Sequence, residues 1–332
     1  MIGLVKTKPG VGHLELKEVE VVAPGPGEVL VDVHATGICG TDLHIIDDEY
    51  GHKPPVVLGH EVIGTVTELG EGVERSWLGE RIACETFFST CEVCAPCRDG
   101  RPNLCKQRVS IGSGIDGGFT SRMRIPARNL HSVPPGVEDY AASLLEPLAC
   151  VVNCLCDPSV VNAGDRVLVT GPGPIGMLAA MVARASGGEV TVAGLAKDAD
   201  RLAVAERLGF GALGDDSWQG EEFAVTVECS GSAGGVAACL RSTERGGRLV
   251  VIGLAGREVS IPFDEVCYRE LTVTSGFASI PRSWRRSLAL LGEGAVDLGA
   301  LVSRAAPLGE WEDAIAEVRA GQGMKVVFDP RL

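Results

Sequence analysis

Basic charge is in short supply in this chain. Thirty Lys and Arg face 44 Asp and Glu, for a formal net charge of −14. Such a surface repels phosphate backbones and anionic headgroups, which argues against nucleic-acid and membrane partners. No uninterrupted apolar run approaches the ~20 residues that a spanning helix needs. The opening MIGLVKTKPG lacks the apolar centre of a signal peptide, so the reducing cytoplasm is the expected compartment. Internal repeats and low-complexity segments are missing too. What is present is a chain of 332 residues, 45% hydrophobic and 22% charged, an ordinary globular composition. That length is too great for one compact core, so two domains are expected. Twelve cysteines in a reducing compartment read as thiols or metal ligands rather than disulfides.

The two halves differ in pattern. Residues 1–140 read as short β segments broken by turns: EVLVDVHATG (28–37) and VIGTVTELG (62–70) alternate apolar with polar, and APGPGE (23–28) supplies turn residues. From about residue 164, strands and helices alternate. DRVLVTG predicts a strand, PIGMLAAMVARAS (174–186) a helix, EVTVAG (189–194) a strand, and DADRLAVAERLG (198–209) a helix with Leu202, Ala205 and Leu208 on one face. FAVTVECSG, GRLVVIGL and ELTVTSG add further apolar strands. The fold class expected is α/β, with a doubly wound parallel sheet covered on both faces in this half. KVVFDP (325–330) predicts a last strand that returns to the first domain.

TGPGPIG (170–176) follows the first of these strands and opens the helix, giving G-x-G-x-x-G at Gly171, Gly173 and Gly176 around Pro174 and Ile175. Glycine there allows the tight turn and the close approach of a pyrophosphate to a helix N-terminus. The motif alone is common; its place in a βαβαβ series points to a dinucleotide. The acid expected after the second strand is missing, and Gly194 stands in its place. Lys197 and Arg201 lie just beyond and can neutralise a 2′-phosphate, so the balance between NAD and NADP leans to NADP. The competing reading makes Lys197 and Arg201 solvated helix-start charges and Asp198 a cap.

CEVCAPCRDGRPNLC (91–105) crowds Cys91, Cys94, Cys97 and Cys105 at spacings x2, x2 and x7. Four thiolates closed around one zinc make a structural site with no open position. A redox C-x-x-C pair does not require four cysteines, and a nucleic-acid-binding ribbon conflicts with the acidic chain. The lobe, residues 84–110, has little core of its own, and a metal would staple it. A second set is GICGTDLH (37–44) with LGHEVIG (58–64): Cys39 and His60 are zinc-type ligands flanked by glycines.

GICGTDLH, GHE, the four-cysteine lobe, EPLAC (146–150) and GPGPIG occur in the order found in medium-chain zinc-dependent alcohol and polyol dehydrogenases, which the chain resembles over nearly its whole length. The resemblance implies a GroES-like β-rich catalytic domain at 1–145, a Rossmann dinucleotide-binding domain at 146–285, and a C-terminal return to the catalytic domain at 286–332. It implies two zinc ions per chain, one catalytic and one structural, and NAD or NADP as cosubstrate. Glu146 stands where simple-alcohol members carry a cysteine, which is similar to the sorbitol and threonine dehydrogenase branches. Cys39, His60 and Glu146 are the core ligands so implied, with Glu61 exchanging or bound through water. Charge favours one carboxylate at a time, because a second makes the site anionic and weakens the Lewis acid.

The same resemblance assigns proton transfer to Thr41 and His44, against a reading of Thr41 as a turn hydroxyl and His44 as a surface residue. Lys325 resembles a basic residue that can meet the cofactor pyrophosphate, against a reading of it as a surface lysine. Cys150 and Cys154, four apart on a helix, read as packed thiols. Asp47, Asp48 and Glu49 read as a solvated acidic run, or as hydrogen-bonding groups at a pocket mouth. The implied activity is hydride transfer between a secondary alcohol (polyol, sugar or cyclitol) and NAD(P), giving a ketone. A threonine-type amino-alcohol dehydrogenase and a zinc-stabilised binding protein without turnover are the alternatives. Expected partners are a small-molecule alcohol or ketone and a second copy or more of the chain, as homodimer or homotetramer.

Overall fold

The structure is a computed structural model and describes residues 1–214 and 220–332. The chain forms two compact units, Met1–Glu146 with Val302–Leu332, and Pro147–Leu301.

The first unit is β-rich. Its central strand, Glu28–Gly37, pairs antiparallel with Glu61–Leu69, with Arg122–Pro126 along its first half, and with Lys325–Phe328 at its far end. Alternating apolar residues on these strands bury Val29, Val31, Val33, Val62, Val66, Ile82 and Ile125 together. A second core gathers Leu4, Ile45, Leu58, Val326 and Phe328; Phe119 meets Phe328 edge to face, with ring centroids 4.9 Å apart. The register matters for function. Gly37 stands opposite Glu61 on one side and opposite Val327 on the other, so three chain segments end at one point.

The C-terminal return begins at Val302, with strand Val302–Ala306 lying parallel to Lys325–Phe328. Helix Pro281–Gly292 stays with the second unit, although the sequence suggests a boundary at 286. Its Trp284 is fully buried and donates to Ser279 Oγ at 3.0 Å, which fixes the helix there.

The second unit holds a six-stranded, all-parallel sheet. In spatial order its strands are Gly211–Leu213, Glu189–Ala193, Arg166–Thr170, Phe223–Glu228, Thr243–Val251 and Thr272–Ser275. This is the 3-2-1-4-5-6 order of a doubly wound dinucleotide fold, with its switch point beside Arg166–Thr170. Among the described residues, one helical stretch, Asp139–Cys156, has the length and apolarity of a membrane span, and 78% of it is buried inside the protein.

Candidate active site

The pairing around Gly37 assembles the first metal-type cluster. Strand Glu28–Gly37 runs out into Cys39, and Glu61, next to His60, sits across from Gly37. The donor atoms of Cys39, His60 and Glu61 all lie within 4.8 Å of one another. Gly37 is required by space: a Cβ there would stand 2.0 Å from Glu61 Oε2 and 2.7 Å from Lys325 Cε. Glu61 is completely buried. Lys325 donates to its Oε1 at 2.6 Å and also to the Ile38 carbonyl at 2.9 Å. Lys325 Nζ is 2.5 Å from Oε2 as well, but off the hydrogen-bond direction, so that buried oxygen keeps an unused lone pair.

The donor set suits zinc: a thiolate, an imidazole and a carboxylate with an unpaired oxygen. Asp42 completes it from behind. Helix Gly40–Ile46 starts with Cys39 as N-cap, and Asp42, at its third position, accepts the Cys39 N–H at 2.8 Å through Oδ2. Asp42 Oδ1 lies 3.5 Å from His60 Nδ1, an electrostatic contact of the kind that orients a metal-binding imidazole. Burial opposes a charged His60, but the Asp42 and Cys39 charges outweigh it and hold the imidazole well above its ordinary value. Lys325 is raised in the same way, with Glu61 and Cys39 prevailing over burial.

Glu146 lies outside this group of donors. It is buried in the first turn of helix Leu145–Cys156. Burial first, then the charges of Glu146 and Glu85, push the neighbouring Cys84 thiol up to about 12, with His60 acting against them. Cys154 is likewise pushed up to about 12 by burial, as a packed thiol would be.

Helix Gly40–Ile46 also carries Thr41 and His44, three residues apart and therefore on one face. The acidic run that follows the helix is partly exposed and each member has a partner: Asp47 is paired to Arg319, Asp48 faces His52, and Glu49 faces His44.

The four-cysteine lobe converges as its spacing predicts. The sulfurs of Cys91, Cys94, Cys97 and Cys105 lie within 4.8 Å of one another. Cys94 and Cys97 are 3.4 Å apart, and Cys91 and Cys105 3.6 Å. Four sulfurs at ~2.3 Å around one tetrahedral zinc would be ~3.8 Å apart, whereas a disulfide requires ~2.05 Å. Backbone N–H groups of Cys94 and Val93 bring Cys91 down to about 6.

In the second unit, strand Arg166–Thr170 leads into Gly171, whose φ is +88° and where a Cβ would strike Ser230 N at 2.7 Å. Gly173 caps helix Pro174–Ala185, which has Pro174 as its first residue and Ile175 and Gly176 next. A Cβ at Gly176 would sit 2.0 Å from the Gly171 carbonyl oxygen. The first-turn N–H groups of this helix have no partners within it and suit an anion. Gly194 has no room for an acid: its Cβ would meet Pro172 at 2.8 Å and Asp198 at 3.1 Å. Arg201 reaches the loop, with Nη1 3.8 Å from where a Gly173 Cβ would be; Lys197 is exposed.

The segments that carry these two sites match models of a known family. The alcohol dehydrogenase GroES-like domain matches residues 25–135, and the zinc-binding dehydrogenase domain matches residues 174–293. A sorbitol dehydrogenase from Halalkalibacterium halodurans is 35% identical, covering 99% of both chains. The chain belongs to the zinc-binding alcohol dehydrogenase family. An L-threonine 3-dehydrogenase from Pyrococcus horikoshii is 34% identical, covering 99% of this chain and 98% of its own. A putative zinc-binding dehydrogenase from Sinorhizobium meliloti 1021, solved bound to NADP, superposes with a TM-score of 0.90 at 32% identity, covering 99% of both chains.

The cysteines, the histidine and the glycines that stand out in the sequence of this dehydrogenase thus gather into candidate sites. Lys325 is not free for a pyrophosphate, because its buried ammonium is taken by Glu61 and Ile38. Glu61 is the carboxylate whose donor atom groups with those of Cys39 and His60. Two contributors escape sequence reading. Asp42 carries a faint signal, an acid three residues after a helix N-cap. Lys325 as a partner of Glu61 carries none, since the two are 264 residues apart.

Proposed function

We propose that this dehydrogenase oxidises a secondary alcohol of a polyol, sugar or cyclitol to a ketone, with catalytic zinc on Cys39, His60 and Glu61 and with Glu146 as the alternate carboxylate. The carrying observation is the convergence of Cys39, His60 and Glu61 at Gly37, with Thr41 and His44 on the helix that Cys39 caps. When bound there, zinc supplies a Lewis acid that lowers the pKa of the substrate hydroxyl. Thr41 accepts the hydroxyl proton, and His44 carries it towards solvent. Asp42 orients His60, and Lys325 offsets the second buried negative charge at Glu61. A second zinc on Cys91, Cys94, Cys97 and Cys105 staples residues 84–110.

Gly171, Gly173, Pro174, Ile175 and Gly176 would cradle the pyrophosphate of the dinucleotide. Steric exclusion of an acid at Gly194, with Arg201 beside the loop, supports NADP over NAD; the NADP-bound relative is consistent with this. Self-association is supported by the sheet edge at strand Thr272–Ser275, and the reducing cytoplasm suits cysteines that form no disulfide among the described residues.

The sorbitol dehydrogenase relative supports the polyol reading; the threonine dehydrogenase relative supports an amino alcohol instead. Turnover of polyols, sugars, cyclitols and L-threonine, each assayed with NAD and with NADP, separates them. Activity on threonine alone would overturn the substrate class and leave the reaction class intact.

A further inference from the structure

The acidic run after the helix has a geometry that the relay does not yet account for. Asp47 takes both Nη atoms of Arg319 at 2.7 Å. Asp48 Oδ1 is 3.4 Å from His52 Nε2. Glu49 Oε2 is 2.7 Å from His44 Nδ1. The backbone sets this last contact. Helix Gly40–Ile46 ends with Asp48 in the left-handed region, at φ +64°. The Asp48 N–H donates to the Ile45 carbonyl at 3.1 Å, and the Glu49 N–H to the His44 carbonyl at 2.8 Å. Those two bonds define a Schellman ending, in which the residue after the left-handed position packs on the third-last residue of the helix. That pair is commonly apolar. Here it is Glu49 and His44.

The turn is held from outside as well. The buried ammonium of Lys6 donates to the carbonyls of Ile46 at 3.1 Å and Gly12 at 2.8 Å, and Arg319 grips Asp47. Glu49 therefore meets His44 without having to order the loop itself. An ionised carboxylate only accepts hydrogen bonds, so a contact at 2.7 Å places the ring proton on Nδ1.

We propose that Glu49 is a positioning residue for His44, fixing the neutral imidazole as its Nδ1–H tautomer so that the Nε2 lone pair is the one free to take the proton. This rests on the relay role of His44 given above. In the step, Nε2 gains one proton and the ring one positive charge, which faces the Glu49 carboxylate. Loss of that same proton to water restores the starting tautomer, and Glu49 stays ionised throughout. The side chains are 33% and 50% exposed, so the pair adds little to folding stability. Its effect is on the tautomer and the ring orientation.

The test uses the zinc-loaded enzyme labelled with ¹⁵N-histidine. The wild type is expected to show His44 protonated at Nδ1. Glu49→Ala should shift the ring towards the Nε2–H form and lower kcat about 10-fold at unchanged KM, with a smaller change in Glu49→Gln, whose amide oxygen still accepts from Nδ1–H. Asp48→Asn, which also tolerates the left-handed turn, should leave tautomer and kcat in place. A wild-type Nε2–H ring would overturn the proposal. So would a tautomer and kcat indifferent to both Glu49 substitutions while His44→Ala is impaired. Normal turnover in His44→Ala would bring down the relay beneath it, with the ring spectra showing which of the two had failed.

Discussion

At the scale of single residues, the Glu61–Lys325 pair is the most exacting feature of the catalytic unit, since both groups are buried and each is the other's main counter-charge. Removing one partner of such a pair costs on the order of 3–5 kcal/mol, because the other is left charged in a dry site. Lys325→Met should show that loss in urea melts of the zinc-free protein and a smaller loss with zinc, where Glu61 gains another cation. An equal loss in both would mean that Glu61 does not meet the metal. Gly37→Ala tests the same point by space alone: a Cβ 2.0 Å from Glu61 Oε2 must displace the carboxylate. Zinc content by mass spectrometry should then fall by about one ion per chain, with the four-cysteine site still filled. Cys39 and His60 were legible because glycine-flanked ligands stand out in a short motif. Gly37 was legible as a glycine of that motif; what makes it essential is two strands arriving from positions 61 and 327.

Among the elements, the strand–helix alternation of the second unit could be read directly, because fully apolar strands and a glycine-opened helix have distinct periods. The support under the glycine loop could not. Glu228, completely buried at the end of strand Phe223–Glu228, accepts the N–H of Ser230 at 2.8 Å and of Gly231 at 3.2 Å. The turn so fixed is the one Gly171 packs against. Glu228→Gln brings an amide donor to a place lined by donors, so the turn should shift; leaving a buried group unsatisfied costs about 1–3 kcal/mol. The expected result is weaker dinucleotide binding by fluorescence titration, with metal content unchanged. Unaltered binding with a normal melt would show that the loop stands without this support.

For the whole molecule, the return of the C-terminus to the first unit was legible as a strand in KVVFDP, but its fastening was not, since it depends on pairs remote in sequence. Beyond strand Lys325–Phe328, Asp329 accepts from Tyr140 Oη at 2.9 Å and from Arg331, which also contacts Asp139. Burial works to raise the Asp329 carboxyl, but the Arg331 and Tyr140 hydrogen bonds prevail and hold it below the ordinary 3.8. A depressed carboxyl stabilises the fold above its unfolded value, and that contribution is lost as pH falls through the folded one. Asp329→Asn should therefore be less stable than wild type at neutral pH and should converge on it below about pH 4, which a series of urea melts from pH 7 to 3 would resolve. A constant difference across that range would detach the tail from the acid response.

Assembly poses the other question at this scale. Strand Thr272–Ser275 ends the parallel sheet, and Val273, Phe263 and Tyr268 are exposed in the same unit. An edge strand in a unit that also exposes apolar side chains would suit pairing with another copy of the chain. Val273→Lys adds the kind of charge that protects free edges. If the strand joins two subunits, light scattering should show the wild-type oligomer dissociating in this variant while the chain keeps its zinc. An oligomer of unchanged mass would place the contact elsewhere on the surface.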